Sequence, residues 1–138
     1  MGSEMCIRDR VPAAVALETL KIYEERKLVP RVRDLAPRFS RAFQELEEHP
    51  MIGTSRSLGL IGAVELVLDK KKKEFFEPSQ KTGAHLVAQA QQHGLILRTL
   101  PGDIVACCPP LIITEYEMDE LFSRFKKAID DTANHFFN

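Results

Sequence analysis

Long hydrophobic runs are missing from this chain. None approaches the ~20 residues that a bilayer-spanning helix needs, so no membrane partner is expected. Net charge is nearly missing too. Nineteen basic and twenty acidic side chains leave a formal charge of -1, too little for a global field that would draw in nucleic acid or an anionic lipid surface, and neither is expected as a partner. Cysteine is scarce and badly spaced for metal or redox chemistry. Cys6, Cys107 and Cys108 contain no CxxC pair, and they are expected to be buried, reduced thiols of a cytoplasmic protein. The opening Met1–Arg10 lacks the apolar stretch of a secretory signal.

Self-contained catalytic signatures are absent as well. The sequence holds no GxGxxG, no Walker lysine loop and no GxSxG. Its four histidines are His49, His85, His93 and His135. His85 and His93 lie two turns apart on one predicted helix, whereas a helical pair of metal ligands wants a spacing near four. Structural roles are expected for all four, with no catalytic residue and no metal ligand in the chain. The run Lys70–Lys73 reads as a solvated loop rather than a phosphate or single-strand site, and Phe75 and Phe76 beside it are expected to pack inward.

What is present fits one ordinary globular domain. Hydrophobic residues make up 44% and charged residues 28% of 138 positions, enough to build a core in a domain that buries roughly two-thirds of its unfolded surface. Ala13, Ala16, Leu17, Leu20 and Tyr23 predict a long helix to about Lys27, with Val15 and Ile22 widening its apolar stripe. Val32, Leu35, Phe39, Phe43 and Leu46 mark a second helix from near Pro30 to Glu48, kinked or restarted at Pro37 and ended by His49-Pro50. Met51–Arg56 and Leu58–Leu68 read as strands, the second apolar on both faces and therefore central. Its Gly59 and Gly62 signal close approach by another element. A third helix is expected from a Ser79 cap to His93, with Leu86, Val87 and Ala90 inward and Gly94 as its stop.

Leu95–Arg98 and Ile104–Cys108 predict an antiparallel pair around the turn at Pro101-Gly102, broken after it by Pro109-Pro110. Thr114 and Glu117 form a capping box ahead of a last helix whose stripe is Met118, Leu121, Phe122, Phe125, Ile129 and Phe136. The expected fold is thus α+β: a small antiparallel-type sheet of about four strands, with helices packed on one face and a long helix before it. Residues 1–12 match no periodic pattern and are expected to be a non-native or disordered leader, with the domain occupying 13–138.

One polar residue stands out. Arg98 sits at the end of an apolar strand, facing a Pro-Gly turn, where a guanidinium can present its planar fork of donors from a rigid support. Local sequence alone favours an ordinary surface arginine. Its surroundings change that weighting. The stretch from Gly94-Leu95-Ile96-Leu97-Arg98-Thr99-Leu100-Pro101-Gly102-Asp103 through Cys107-Cys108-Pro109-Pro110 to Thr114 closely resembles the C-terminal signature of class III aminotransferases, the omega-amino-acid:pyruvate type among them. Glu115, Met118, Asp119 and Glu120 continue the match. Ala13–Leu20 resembles the family's long helix, and Arg56-Ser57-Leu58-Gly59-Leu60 its Arg-Gly-x-Gly-Leu strand. Ser57 departs from the usual glycine, and Arg10-Val11-Pro12 stands where the family has His-Pro-Val.

The resemblance implies the C-terminal small domain of a fold type I, pyridoxal-phosphate-dependent enzyme that moves an amino group from an amine or omega-amino acid to a 2-oxo acid such as pyruvate. It implies that Arg98 is the mobile arginine that binds a substrate carboxylate, and that the complete enzyme is a homodimer. It further implies that the cofactor, its lysine and its phosphate cup belong to a large domain absent from this chain, since none of the lysines here has a matching context. The fragment is therefore expected to bind no cofactor and to be inactive alone, and to self-associate through apolar surface that the large domain would cover. The alternative is a small α+β regulatory or ligand-binding module without catalysis, in which Arg98 would lie in a pocket complete within this chain.

Overall fold

In the computed structural model the described backbone runs from Ser3 to Phe137 and the described side chains from Arg10 to Phe137, so the side chain of Cys6 lies outside it. Four helices, α1 (Ser3–Glu25), α2 (Leu28–Leu46), α3 (Thr82–Gln92) and α4 (Glu115–Phe137), accompany four strands, β1 (Ile52–Leu58), β2 (Ile61–Leu66), β3 (Arg98–Leu100) and β4 (Ile104–Cys107). The strands form one sheet in the order β1-β2-β4-β3, antiparallel throughout. Element order and fold class are those expected from the sequence, with β2 in the interior of the sheet.

The core lies on one face of that sheet. Alternation along β2 and β4 turns Gly62, Val64, Leu66, Val105 and Cys107 toward the helices. From α2, Leu35, Phe39, Phe43 and Leu46 meet them, as the helical spacing requires, and from α4 Met118, Leu121, Phe125 and Ile129. Phe39, Phe43 and Phe122 form a triangle with ring centroids 5.0–5.4 Å apart, a geometry favourable to aromatic pairs. Gly62 is what lets Phe43 reach the sheet: a Cβ at that position would lie 2.3 Å from the ring. The close approach read from the sequence at Gly62 is thus filled by an aromatic ring of α2.

Several boundaries differ from the sequence reading. The apolar run Leu58–Leu68 is not one strand. Leu58 pairs with Ile61 across a two-residue turn, and Gly59 takes φ +60° there, as the first central residue of a type II′ hairpin does. Leu60 is buried in that turn, so composition gave no break. The strand read as Leu95–Arg98 instead begins at Arg98, because the Pro101-Gly102 turn sets Arg98 opposite Ala106 and Pro109-Pro110 removes the donors a longer ladder would need. Ser79 does not cap α3: Pro78–Gln80 forms a separate 3-10 turn, Lys81 steps through φ 50°, and the helix starts at Thr82 with Gly83 N donating to Asp103 Oδ1 at 2.8 Å. α2 does not restart at Pro37 but runs unbroken over it. Its ring faces solvent, where water can serve the carbonyl left without a donor.

The first helix begins at Ser3, ahead of Ala13, and holds Pro12 inside it. Its described side chains are all exposed, Val15 at 61%, Leu17 at 69% and Leu20 at 59%. At the other end, the capping box forms as read: Glu117 N donates to Thr114 Oγ1 and Thr114 N donates to Glu117 Oε2. Arg38 of α2 ties this helix down with a forked pair to Asp119 at 2.7 Å and a contact to Glu115 at 3.0 Å.

The histidines close the packing. His85 of α3 stacks on His135 of α4 with centroids 4.4 Å apart, and Phe136 meets both rings edge-on. His49 accepts from Met51 N at Nδ1 and sets Nε2 3.5 Å from Asp130, and His93 pairs with Asp131 at 2.6 Å. Burial lowers the pKa of His85, helped by the charge of His135. Burial also lowers that of His49, against the pull of Asp130.

Two predictions follow from this packing. Gly62→Ala forces Phe43 off the sheet and is expected to destabilise the fold by about 1–3 kcal/mol, the usual cost of overpacking a core, read as a lower melting temperature with unchanged helix content. Because the folded His85 and His49 sit below the ordinary 6.5, the unfolded chain binds more protons just below that pH. Stability from these two histidines is therefore fully present above 6.5 and is lost as pH falls below it through their depressed folded-state values. His85→Phe, which keeps the ring stack but cannot take a proton, is expected to flatten the melting-temperature profile in that window, and an unchanged slope would count against the assignment.

Candidate functional site

The helices leave the second face of the sheet uncovered. Ala63, Glu65, Ile104 and Ala106 turn toward it, alternating with the core residues of β2 and β4. Pairing fixes which neighbours share that face. Arg98 pairs with Ala106, Ala106 with Ala63, and Ala63 with Arg56. Directly opposed residues project to the same side, so Arg56, Ala63, Ala106 and Arg98 form one row across the sheet. Thr99, the next residue along β3, confirms the direction. It projects toward the helices, where its Oγ1 would lie 2.8 Å from a Cβ on Gly83.

Arg98 thus stands on the edge strand β3 and is directed to the open face. It is exposed and, among the described residues, forms no ion pair. Its strand is held by the ladder to β4 and by the turn at Pro101-Gly102, where Gly102 supplies the φ of +82° that a type II turn wants after proline. The support is rigid and the side chain is free. Arg98 is not among the residues that line the five best-formed clefts of the described residues.

Beside the Cys107–Pro110 segment lies an apolar cleft of about 630 Å³, walled also by Leu95, Ile96, Ile112 and Leu121. Thr114 and Glu117 are its polar groups. Hydrogen bonds from Thr114 hold the Glu117 carboxyl below the usual range, so it stays an acceptor engaged in the helix cap. Cys107 is no nucleophile there: burial pushes its thiol up to about 12, far from the thiolate that reactivity requires. Cys108 is exposed rather than buried, because β4 alternates and the following residue falls on the other side.

The remaining candidates resolve as structural. The described residues hold no group of three potential metal ligands. The lysine run is a solvated turn: Asp69 Oδ1 accepts from Lys71 N at 2.8 Å and Lys72 N at 3.0 Å, and Asp69 bridges to Glu74. Phe76 packs inward against Phe136 at 5.5 Å, but Phe75, expected to do the same, is 55% exposed.

Pyridoxal phosphate needs a lysine in a dehydrated cleft, an acidic partner for its ring nitrogen and a phosphate cup. Every described lysine here is exposed, so these residues do not fit that cofactor. The same pairing sets Arg56 in the row with Arg98, a position that sequence reasoning did not single out. The signal for Arg56 lay in strand register, which depends on a hairpin turn hidden in an apolar run.

Comparison with known proteins places this geometry. The family described as Aminotransferase class-III matches residues 8–129, a span that begins inside the segment read as a leader. Gamma aminobutyrate transaminase 1, mitochondrial, of Solanum lycopersicum is 39% identical over 122 residues, 88% of this chain and 24% of that protein. Putrescine–pyruvate aminotransferase of Pseudomonas aeruginosa is 38% identical over 124 residues, 89% of this chain and 27% of that protein. The structure of a PLP-bound aminotransferase mutant from Vibrio fluvialis superposes with a TM-score of 0.85 at 35% identity, over 88% of this chain and 27% of that one. The chain spans about a quarter of the length of the relatives it matches. With most of its residues inside the family match, and with its sheet and helices superposing on a solved relative, the chain belongs to the class-III aminotransferases.

Proposed function

We propose that this chain is the substrate-recognising small domain of a pyridoxal-phosphate-dependent aminotransferase, in which Arg98 binds the substrate carboxylate. The observation that carries this reading is the direction of Arg98: a guanidinium without an ion pair among the described residues, on a rigid edge strand, aimed at a sheet face that the described helices leave open. A carboxylate there accepts two parallel hydrogen bonds from one fork. The flexible stem lets the fork swing aside for a substrate that brings no carboxylate, so one site serves two unlike partners in turn.

The cofactor, when bound, supplies the chemistry that moves the amino group. In this reading it is held outside this chain, by a large domain that covers the open sheet face and the apolar surface of α1, in a cytoplasmic enzyme that is a homodimer when complete. The relatives named for gamma-aminobutyrate and for putrescine with pyruvate support an amine or omega-amino acid as donor and a 2-oxo acid as acceptor. The lack of any buried lysine supports the inactivity of this chain by itself.

The chain alone is expected to show no cofactor absorbance band that an amine bleaches, and no transamination. A stoichiometric band bleached by amine would overturn the division of labour between domains. Butyrate is expected to perturb the amide signals of Arg98 and Ala106 in heteronuclear NMR, and Arg98→Gln to weaken that binding about tenfold, the scale of one charge-assisted fork at an exposed site. Equal butyrate affinity in the variant would refute the role of Arg98.

A further inference from the structure

The row that carries Arg98 ends in a second arginine. Arg56 sits on β1 and is joined to Arg98 through Ala63 and Ala106 by three successive pairings. Three strand spacings set their Cα atoms ~14 Å apart on the same face. Both are exposed, and among the described residues Arg56, like Arg98, has no ion-pair partner. Three other arginines are tied up within the fold: Arg31 donates to the carbonyls of Ile112 and Ile113, Arg38 to Asp119 and Glu115, and Arg124 to Glu120 and Gly94 O. Arg33 and Arg41, which like Arg56 have no ion pair among the described residues, lie on α2 and not on the sheet.

We infer that Arg56 is a specificity-determining residue, and that Arg56 and Arg98 together form a site for a small dicarboxylate laid across Ala63 and Ala106. The inference rests on the proposed role of Arg98 and adds the second cation. The two alanines give the space between the arginines a floor of single methyl groups, low enough for a ligand to lie flat. Ile61, two residues along β2 from Ala63, and Ile104, two residues along β4 from Ala106, share this face on either side and give the floor apolar borders suited to a short methylene chain. Each arginine stem is long enough to lean inward over its neighbouring alanine, so each fork can take one carboxylate. Glu65, two residues along β2 from Ala63, shares this face, and with two guanidiniums against it the row remains cationic. A monocarboxylate can satisfy only one of the forks. A five-carbon diacid can meet both, so the chain discriminates by the number of carboxylates.

Titration of the 138-residue chain with glutarate and with butyrate, followed at the amides of Ala63, Ala106, Arg56 and Arg98 by NMR, tests this. Glutarate is expected to bind about tenfold more tightly than butyrate, the worth of one added charge-assisted fork at an exposed site. Arg56→Gln is expected to bring glutarate down to the level of butyrate and to leave butyrate unchanged, whereas Arg98→Gln weakens both. Since Arg56 makes no contact that holds the fold, the variant should keep the wild-type melting temperature. Arg56→Lys, which retains charge without the fork, should recover part of the glutarate preference. Undiminished glutarate binding by Arg56→Gln, or no saturable glutarate binding by the wild type, would overturn the two-arginine site. Loss of the Arg98→Gln effect alone would instead overturn the reading on which it rests.

Discussion

The register of β3 on β4 is the constraint from which the rest follows. Arg98 faces away from the helices only because it pairs with Ala106, and a slip of one residue would turn it into the core and bring Thr99 out. The turn at Leu100-Pro101-Gly102-Asp103 fixes that register. Proline presets its own φ, and Gly102 and Asp103 take positive ones, +82° and +51°. Asp103 then accepts from Gly83 N and pins the start of α3 to the same turn. The helix layer, the edge strand and the direction of the arginine are thus set by four consecutive residues. Their chemistry is local and their effect spans the domain.

The fold was legible where one physical signal dominated. The stripes of α2 and α4 are regular enough that Phe39, Phe43, Met118 and Phe125 could be placed in the core before any coordinates. The box of Thr114 and Glu117 marked its helix start because both side chains act within one turn. The signal failed where burial and turn chemistry met in the same residues. Leu58-Gly59-Leu60-Ile61 is apolar throughout, and a hairpin turn that buries Leu60 looks like strand interior. Phe75 and Phe76 look alike in composition, yet only one of them has an aromatic partner on α4 waiting for it. Cys107 and Cys108 differ only in parity along β4, which no local composition records.

The site was legible in a different way. Nothing in the periodicity around Arg98 separates it from an ordinary surface arginine, and it was the resemblance of the whole segment from Gly94 to Thr114 that raised it. Geometry adds the reason such a residue would be left unpaired. A buried ion pair for Arg98 within this chain would fix its fork and fill its donors, whereas an exposed one keeps both for a ligand. The structural histidines show the opposite economy. His49, His85 and His93 each have a ring or a carboxylate as neighbour inside the fold, which closes them to chemistry.

An exposed arginine binds a carboxylate weakly, since water at high dielectric screens the pair and competes for every donor. The same fork becomes strong when a second wall excludes that water, because the attraction rises as the local dielectric falls. This is the physical case for a site at a boundary between domains. In the proposed arrangement the small domain contributes a cation that costs little stability while hydrated, and the covering domain would contribute the dryness that makes the cation selective. In this arrangement, affinity measured on the chain alone reports the intrinsic preference of the row Arg56, Ala63, Ala106, Arg98. An enzyme with the proposed second domain would amplify that preference by enclosing it. A residue that discriminates by charge count, as Arg56 is inferred to do, gains most from enclosure, for an unmatched guanidinium in a dry site carries a desolvation cost that a matched one offsets.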